Sequence, residues 1–228
     1  MTPTRKDVGK AILSLNDAHS LRNRKRLDEL GLLAVNVLAS PGAGKTSVIV
    51  RLLQDLAGQF SVGVIEGDVA SSIDTDKLRA MGFPATQINT DGGCHLDADM
   101  VFAAIGKLGI RGPGYLFIEN IGNLICPTNF HLGETLRLVI ASTPEGDDKP
   151  TKYPGVFATA DAVVLNKIDL LGHVDFRMDF FLASLGTINP KAPIFRVSCR
   201  NGEGFGALLE WLKAAPSPDS PARPSVPI

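Results

Sequence analysis

Three cysteines among 228 residues are too few, and odd in number, for a disulfide framework. In a chain that carries a nucleotide motif they point to a reducing compartment, and the cytosol is expected. No apolar run approaches the about 20 residues that span a bilayer. The opening residues Met1-Thr2-Pro3-Thr4-Arg5-Lys6-Asp7 have no apolar stretch behind them, so no signal peptide is expected. Charge of one sign is missing too. With a net charge of −1 nothing draws the chain to nucleic acid or to an acidic membrane surface. The basic run Arg22-Asn23-Arg24-Lys25-Arg26 reads as a solvated helix face. No internal repeat is present. What remains is 44% hydrophobic, enough for the core of one large α/β domain.

The stretch Val35–Leu53, VNVLASPGAGKTSVIVRLL, starts as a β-branched apolar run, breaks at Ser40-Pro41-Gly42-Ala43-Gly44 and resumes with helical spacing. Strand, glycine loop and helix are the setting in which G-x-x-x-x-G-K-[ST] becomes a phosphate cradle. The backbone N–H groups of Gly42, Ala43 and Gly44, with Thr46 and Ser47 at the helix start, would surround phosphate oxygens. Lys45 would reach the β- and γ-phosphates and the Thr46 hydroxyl would bind Mg²⁺. One position departs from the pattern: Ala39 stands where the first glycine is asked for, which is tolerable if its φ stays negative.

Asn166-Lys167-Ile168-Asp169 follows the apolar run Ala162–Leu165 and matches the guanine-selecting N-K-x-D. A carboxylate accepts from both guanine N1–H and the 2-amino group, whereas adenine would leave it unpaired. Asn166 would brace the loop and the Lys167 stem would lie over the base. Ser198-Cys199-Arg200 stands at the end of the last strand, either as a second guanine loop or as an ordinary strand-to-loop turn. Two acidic strand ends, Asp68 and Glu119, should face the phosphates and serve Mg²⁺, its waters or the attacking water. Gly122 would offer its N–H to a γ-phosphate, and Asp74 reads as a helix cap. No glutamine is placed to orient water and no arginine finger is evident, so hydrolysis should be slow.

Cys94-His95 and Cys126 carry ligand chemistry suited to Zn²⁺ or Ni²⁺. Cys94, at the mouth of a helix opened by Asp91-Gly92-Gly93, should ionise easily. Three ligands do not close a structural zinc site, but a two-fold dimer would double the supply. Spacing alone equally allows a structural Cys and an unrelated Cys-His pair. His131 is a spare ligand type. In the polar stretch Gly146–Pro154, Lys149 or Lys152 would contact nucleotide or a dimer partner, or the loop is simply solvated.

The elements expected are a helical stretch over 7–30, in two helices or one interrupted near Asn16-Asp17, and strands at 33–38, 61–66, 85–89, 115–119, 136–141, 162–165 and 194–198. Helices are expected from Lys45 to about Ala57 with Gly58 as C-cap, at 73–81, from Asp91 to about Leu108, at 173–185 and at 205–213. Near-continuous apolar strands alternating with helices imply a mostly parallel sheet covered on both faces. The divisions are a helical segment at 1–30, a P-loop domain at 31–215 and a proline-rich disordered tail at 216–228.

The segments IEGDVASSIDTDKLRAMG, QINTDGGCHLDADMV, LFIENIGNLICPTNFHLGE, STPEGDDKPTKYP and VLNKIDLL, together with ASPGAGKT, closely resemble the hydrogenase nickel-incorporation GTPases of the HypB family, from about Ile12 to Trp211. The resemblance implies a SIMIBI-class P-loop fold and a GTP-dependent homodimer holding nickel or zinc at its interface through Cys94, His95 and Cys126. It also implies a HypA-type nickel metallochaperone and a [NiFe]-hydrogenase large-subunit precursor as partners. The GDDKPTKYP and NLICP segments favour hydrogenase over urease or cobalamin-enzyme service. The family's N-terminal CxxCGC motif and histidine-rich tract are both missing, so nickel storage is not expected.

Overall fold

The computed structural model describes residues 5–69 and 71–215. Its centre is a seven-stranded sheet, parallel throughout, in the order β3-β2-β4-β1-β5-β6-β7. The chain runs α1 (Arg5–Leu30), β1 (Leu32–Ala39), α2 (Lys45–Leu56), β2 (Ser61–Asp68), α3 (Ile73–Ala80), β3 (Ala85–Asn89), α4 (Ala98–Leu108) and β4 (Gly114–Glu119). It continues through β5 (Leu136–Ser142), α5 (Lys149–Lys152), α6 (Pro154–Ala158), β6 (Ala162–Asn166), α7 (Met178–Ile188), β7 (Ile194–Arg196) and α8 (Phe205–Lys213). Strands β1, β4, β5 and β6 are buried at every position, which is why they read as mostly apolar runs, broken only by buried polar residues such as Asn36 and Arg137.

Layers of apolar side chains cover the sheet. One cluster joins Val48, Ile49 and Leu52 of α2 and Leu208 of α8 to Val35, Val37 and Phe117. Another joins Leu27 of α1 and Val101 and Ile105 of α4 to Ala34, Leu116 and Ile118. A third packs Phe157 and Phe181 against Leu38, Val139 and Val163. Because β1 sits between β4 and β5, the strand order reverses at its carboxyl end, where open parallel sheets bind ligands.

The structure differs from the sequence expectation in several places. The first helix is a single 26-residue element. Asn16 does not interrupt it; the side chain is buried and bonds outward to Ala98 N and His131 O. Helix α4 starts at Ala98 rather than at Asp91-Gly92-Gly93, because Asp97 is its N-cap and accepts from Met100 N–H. Asp91 and Gly92 instead take positive φ in a turn. The last strand stops at Arg196, α7 begins at Met178, and the polar stretch after β5 contains two short helices. Ala57 is the C-cap of α2, with Gly58 one step beyond in the left-handed conformation. Ser72 is the N-cap of α3; Asp74 lies in its first turn and pairs with Lys77. The expected tail at 216–228 lies outside the described residues.

Candidate functional site

The loop after β1 has the shape a phosphate cradle needs. Gly42 and Gly44 take φ values of 78° and 96°, open to glycine and strained for other residues. A β-carbon on Gly44 would also stand 2.5 Å from the Asn166 amide nitrogen. Ala39, at the departure from the pattern, is the last residue of β1 and is not among the positive-φ residues, so its methyl is accommodated.

The loops after β6 and β7 close on this cradle. Asn166 Nδ2 donates to Ala43 O at 2.9 Å, and Lys167 Nζ donates to Gly42 O at 2.7 Å. Lys167 has φ 61° and its carbonyl accepts from Thr143 Oγ1. Ser198 is buried, and its hydroxyl donates to Asp169 Oδ1 at 2.6 Å while accepting from Arg200 N–H. Cys199 Sγ lies 3.4 Å from Asn166 Oδ1, and burial pushes its thiol pKa up. The structure therefore brings the N-K-x-D segment, Ser198, Cys199 and Arg200 together beside the P-loop. An adjoining cleft of about 460 Å³ is lined by Thr46, Ser47, Arg51, Lys77, Cys199 and Arg200.

On the other side of the P-loop stand the acids. Glu119 ends β4 in register with Val37 of β1 and Glu66 of β2. Its Oε1 accepts from Thr46 Oγ1 at 2.9 Å, while Oε2 is buried without a hydrogen-bond partner among the described residues. Burial raises the Glu119 pKa to about 7 against the pull of Lys45. An orphaned carboxylate oxygen beside the Thr46 hydroxyl is the donor set a hard cation takes, so Mg²⁺ fits here. Asp68 Oδ1 accepts from Ser71 N–H. Glu66, which the sequence analysis passed over, is buried on the same sheet face as Asp68, and burial together with the Asp68 charge raises its pKa to about 7. Its alternation with Asp68 along β2 was the available signal. Gly122 packs against Pro41 of the P-loop. Glu145, also missed, accepts from Ser40 and Ser142 hydroxyls. Lys149 lies 3.9 Å from Glu145, and Lys152 pairs with Asp148 at 2.6 Å.

The sulfur and imidazole groups lie close together. Cys94 Sγ is 3.5 Å from His95 Nδ1, and the neighbouring Cys126 thiol together with burial holds the Cys94 pKa up. Easy ionisation of Cys94 at a helix mouth is thus not found, since α4 begins at Ala98. Burial lowers the His95 pKa, and the ring centroid sits 3.9 Å from that of Phe130. Among the described residues no three His, Cys, Asp or Glu side chains converge as a metal-binding group. Two thiols and an imidazole therefore neighbour one another without forming such a group. His131 points elsewhere: it contacts Arg137 and lies 3.8 Å from buried Glu134.

Residues 33–196 match the model of the CobW/HypB/UreG nucleotide-binding domain. The hydrogenase maturation factor HypB of Rhizobium leguminosarum is 48% identical over 91% of this chain and 70% of its own length. A crystal structure of HypB from Helicobacter pylori in complex with nickel superposes with a TM-score of 0.81 at 36% identity, covering 87% of this chain and 93% of that one. The hydrogenase maturation factor HypB of Archaeoglobus fulgidus gives 0.82 at 37%, over 88% and 98%. Among the described residues no helix is long and apolar enough to cross a membrane.

Proposed function

The chain belongs to the CobW/HypB/UreG family, within it to the HypB hydrogenase maturation factors, and from that premise we propose that it is a cytoplasmic GTPase that carries nickel toward a hydrogenase precursor. Nickel is the cargo; GTP hydrolysis sets the state in which it is held. The observation that carries this is the single segment from Glu119 to Cys126. It begins at the carboxylate hydrogen-bonded to Thr46, touches the P-loop at Gly122 and ends at the thiol beside Cys94.

Each residue's role follows from its chemistry. Asp169, oriented by Ser198, accepts the guanine N–H groups, and Asn166 and Lys167 hold the base loop to the P-loop. Backbone N–H groups from Gly42 to Ser47 hold the phosphates, and Lys45 balances charge on the terminal ones. Thr46, Glu119 and Asp68 would hold Mg²⁺, which when bound neutralises charge developing between the β- and γ-phosphates. Glu119 would alternatively orient the attacking water. The motifs carry no glutamine placed to orient that water and no evident arginine finger, which supports slow turnover.

Cys94, His95 and Cys126 take nickel or zinc. Because they do not converge within one chain, a second copy completing the set across a two-fold axis is the natural arrangement. A HypA-type chaperone and the hydrogenase large-subunit precursor are the partners the family implies. The same incomplete site favours a second reading, a zinc-stabilised dimer whose assembly GTP switches with no metal handed on. Nickel and zinc titrations of purified protein in the GDP and GTP-analogue states separate the two. Nickel affinity that follows nucleotide supports cargo handling, and zinc binding indifferent to nucleotide supports the second reading.

A further inference from the structure

Asn120 occupies the position between the nucleotide and metal halves of the molecule, and its hydrogen bonds run to both. Its side-chain oxygen accepts two backbone N–H groups, Ile121 at 2.9 Å and Leu96 at 3.2 Å. Both are pure donors, which fixes that atom as oxygen. Ile121 precedes Gly122, which lies on the P-loop; Leu96 follows His95. The Asn120 amide nitrogen donates to Asn36 Oδ1 at 3.3 Å, and Asn36 Nδ2 donates to Glu134 Oε1 at 3.3 Å. The other Glu134 oxygen accepts Leu132 N–H at 2.6 Å, on the segment that follows Cys126. Asn36 and Asn120 are both 0% exposed. Arg137 continues the path, donating to Glu134 Oε1 at 2.6 Å and to Thr128 O, two residues past Cys126, at 2.7 Å, so a chain of buried and half-buried bonds joins the Gly122 loop, the His95 segment and the turn that begins at Cys126.

We propose that Asn120 is the positioning residue through which the nucleotide state sets the geometry of the metal site. This rests on the GTP-linked metal site of the proposed function and names the part that does the linking. The physical reason is that a buried N–H deprived of its acceptor costs more than the bond itself contributes. When Ile121 and Gly122 shift against the phosphate, Asn120 either moves with them or abandons a buried donor. Moving with them carries Leu96, and with it His95. The branch through Asn36 and Glu134 pins the Cys126 loop to β1, so the displacement changes the distance between His95 and Cys126 rather than translating both.

The experiment is a Ni²⁺ titration of the full chain with GDP and with a non-hydrolysable GTP analogue, on the unmodified protein and on Asn120→Ala. The unmodified protein should show nickel affinities differing between the two states by about 10-fold, within the ordinary range of allosteric coupling. In Asn120→Ala that ratio should fall to within about 2-fold of one while GTP affinity stays within about 3-fold of the original, a split that general destabilisation does not produce. A ratio preserved in Asn120→Ala overturns the inference and leaves the proposed function standing. A ratio of one in the unmodified protein overturns the linkage itself. Should Asn120→Ala not fold, amide exchange at Leu96 in the unmodified protein decides: protection that differs between the GDP and analogue states supports the inference, and identical protection refutes it.

Discussion

Gly122 is packed against Pro41 so closely that a β-carbon at 122 would stand 3.0 Å from both the backbone nitrogen and Cγ of the proline. The contact makes the loop after β4 part of the wall of the phosphate cradle. Gly122→Ala should push that loop off Pro41 at a cost of about 1–3 kcal/mol of overpacking. GDP binding should survive, while affinity for a GTP analogue falls, because the loss is at the terminal phosphate. Equal losses for both nucleotides in a binding titration would remove Gly122 from the γ-phosphate.

The proposed guanine selection rests on Asp169, which accepts from the Ser198 hydroxyl. Asp169→Asn turns a double acceptor into a group that is half donor and faces the guanine amino group. GTP affinity should drop at least about 10-fold, from one charge-assisted bond of roughly 1.5–3 kcal/mol. Ser198→Ala should do less, since it frees the carboxylate to turn without removing it. Competition between ATP and GTP on the unmodified protein is the control, and equal binding of the two would defeat the assignment.

The acids beside the P-loop make a pH prediction whose sign is fixed. Burial raises Glu119 from 4.5 to about 7, and Glu66 likewise. Between those values the folded, nucleotide-free protein keeps protons that its unfolded chain has released. Their contribution to stability is therefore lost as pH rises from about 4.5 through 7. Denaturant unfolding across that window should show the decline, and Glu119→Gln should flatten it. For the same reason Mg²⁺-nucleotide binding near pH 7 should release protons, seen as a calorimetric heat that varies with buffer ionisation enthalpy. No buffer dependence would mean that Glu119 is already ionised or is not displaced.

Asn16 and Asn23 tie α1 to the segments that follow His95 and Cys126. Asn16 bridges Ala98 N–H and His131 O, and Asn23 Nδ2 donates to Ala98 O at 2.6 Å and Leu132 O at 2.9 Å. Asn23→Ala strands two buried carbonyls and should cost about 1–3 kcal/mol in chemical denaturation. Nickel affinity should weaken more than GTP affinity. A variant that loses neither stability nor metal would make α1 an appendage.

Local pattern carried much of the fold into the sequence. The central strands β1, β4, β5 and β6 are legible because each is buried along its length, and the P-loop because the residues from Gly42 to Thr46 are contiguous. Polar residues inside those strands are not legible. Asn36 interrupts an apolar run for a partner, Glu134, that lies 98 residues away. Asn16 looks like a helix break until Ala98 and His131 are placed beside it. The start of α4 is hidden for a related reason, as Gly92-Gly93 reads as an opening while the cap that works, Asp97, looks like one more acidic residue. Cys94, His95 and Cys126 are recognisable as ligand types and by family resemblance, but their failure to converge in one chain is a three-dimensional fact.

In the proposed function, nucleotide, dimer and metal are linked through the segment from Glu119 to Cys126. Sedimentation combined with nickel titration, on the unmodified protein and on Cys126→Ala, with GDP and with a GTP analogue, tests it most directly. A larger dimer fraction and tighter nickel binding are expected with the analogue, and reciprocally tighter GTP-analogue binding with nickel, since the linkage must be symmetric. Cys126→Ala should lose the interfacial metal while its GTP affinity stays nearly intact. Identical nickel affinity and identical dimer fraction in both nucleotide states would contradict the account and leave a GTPase that merely binds metal.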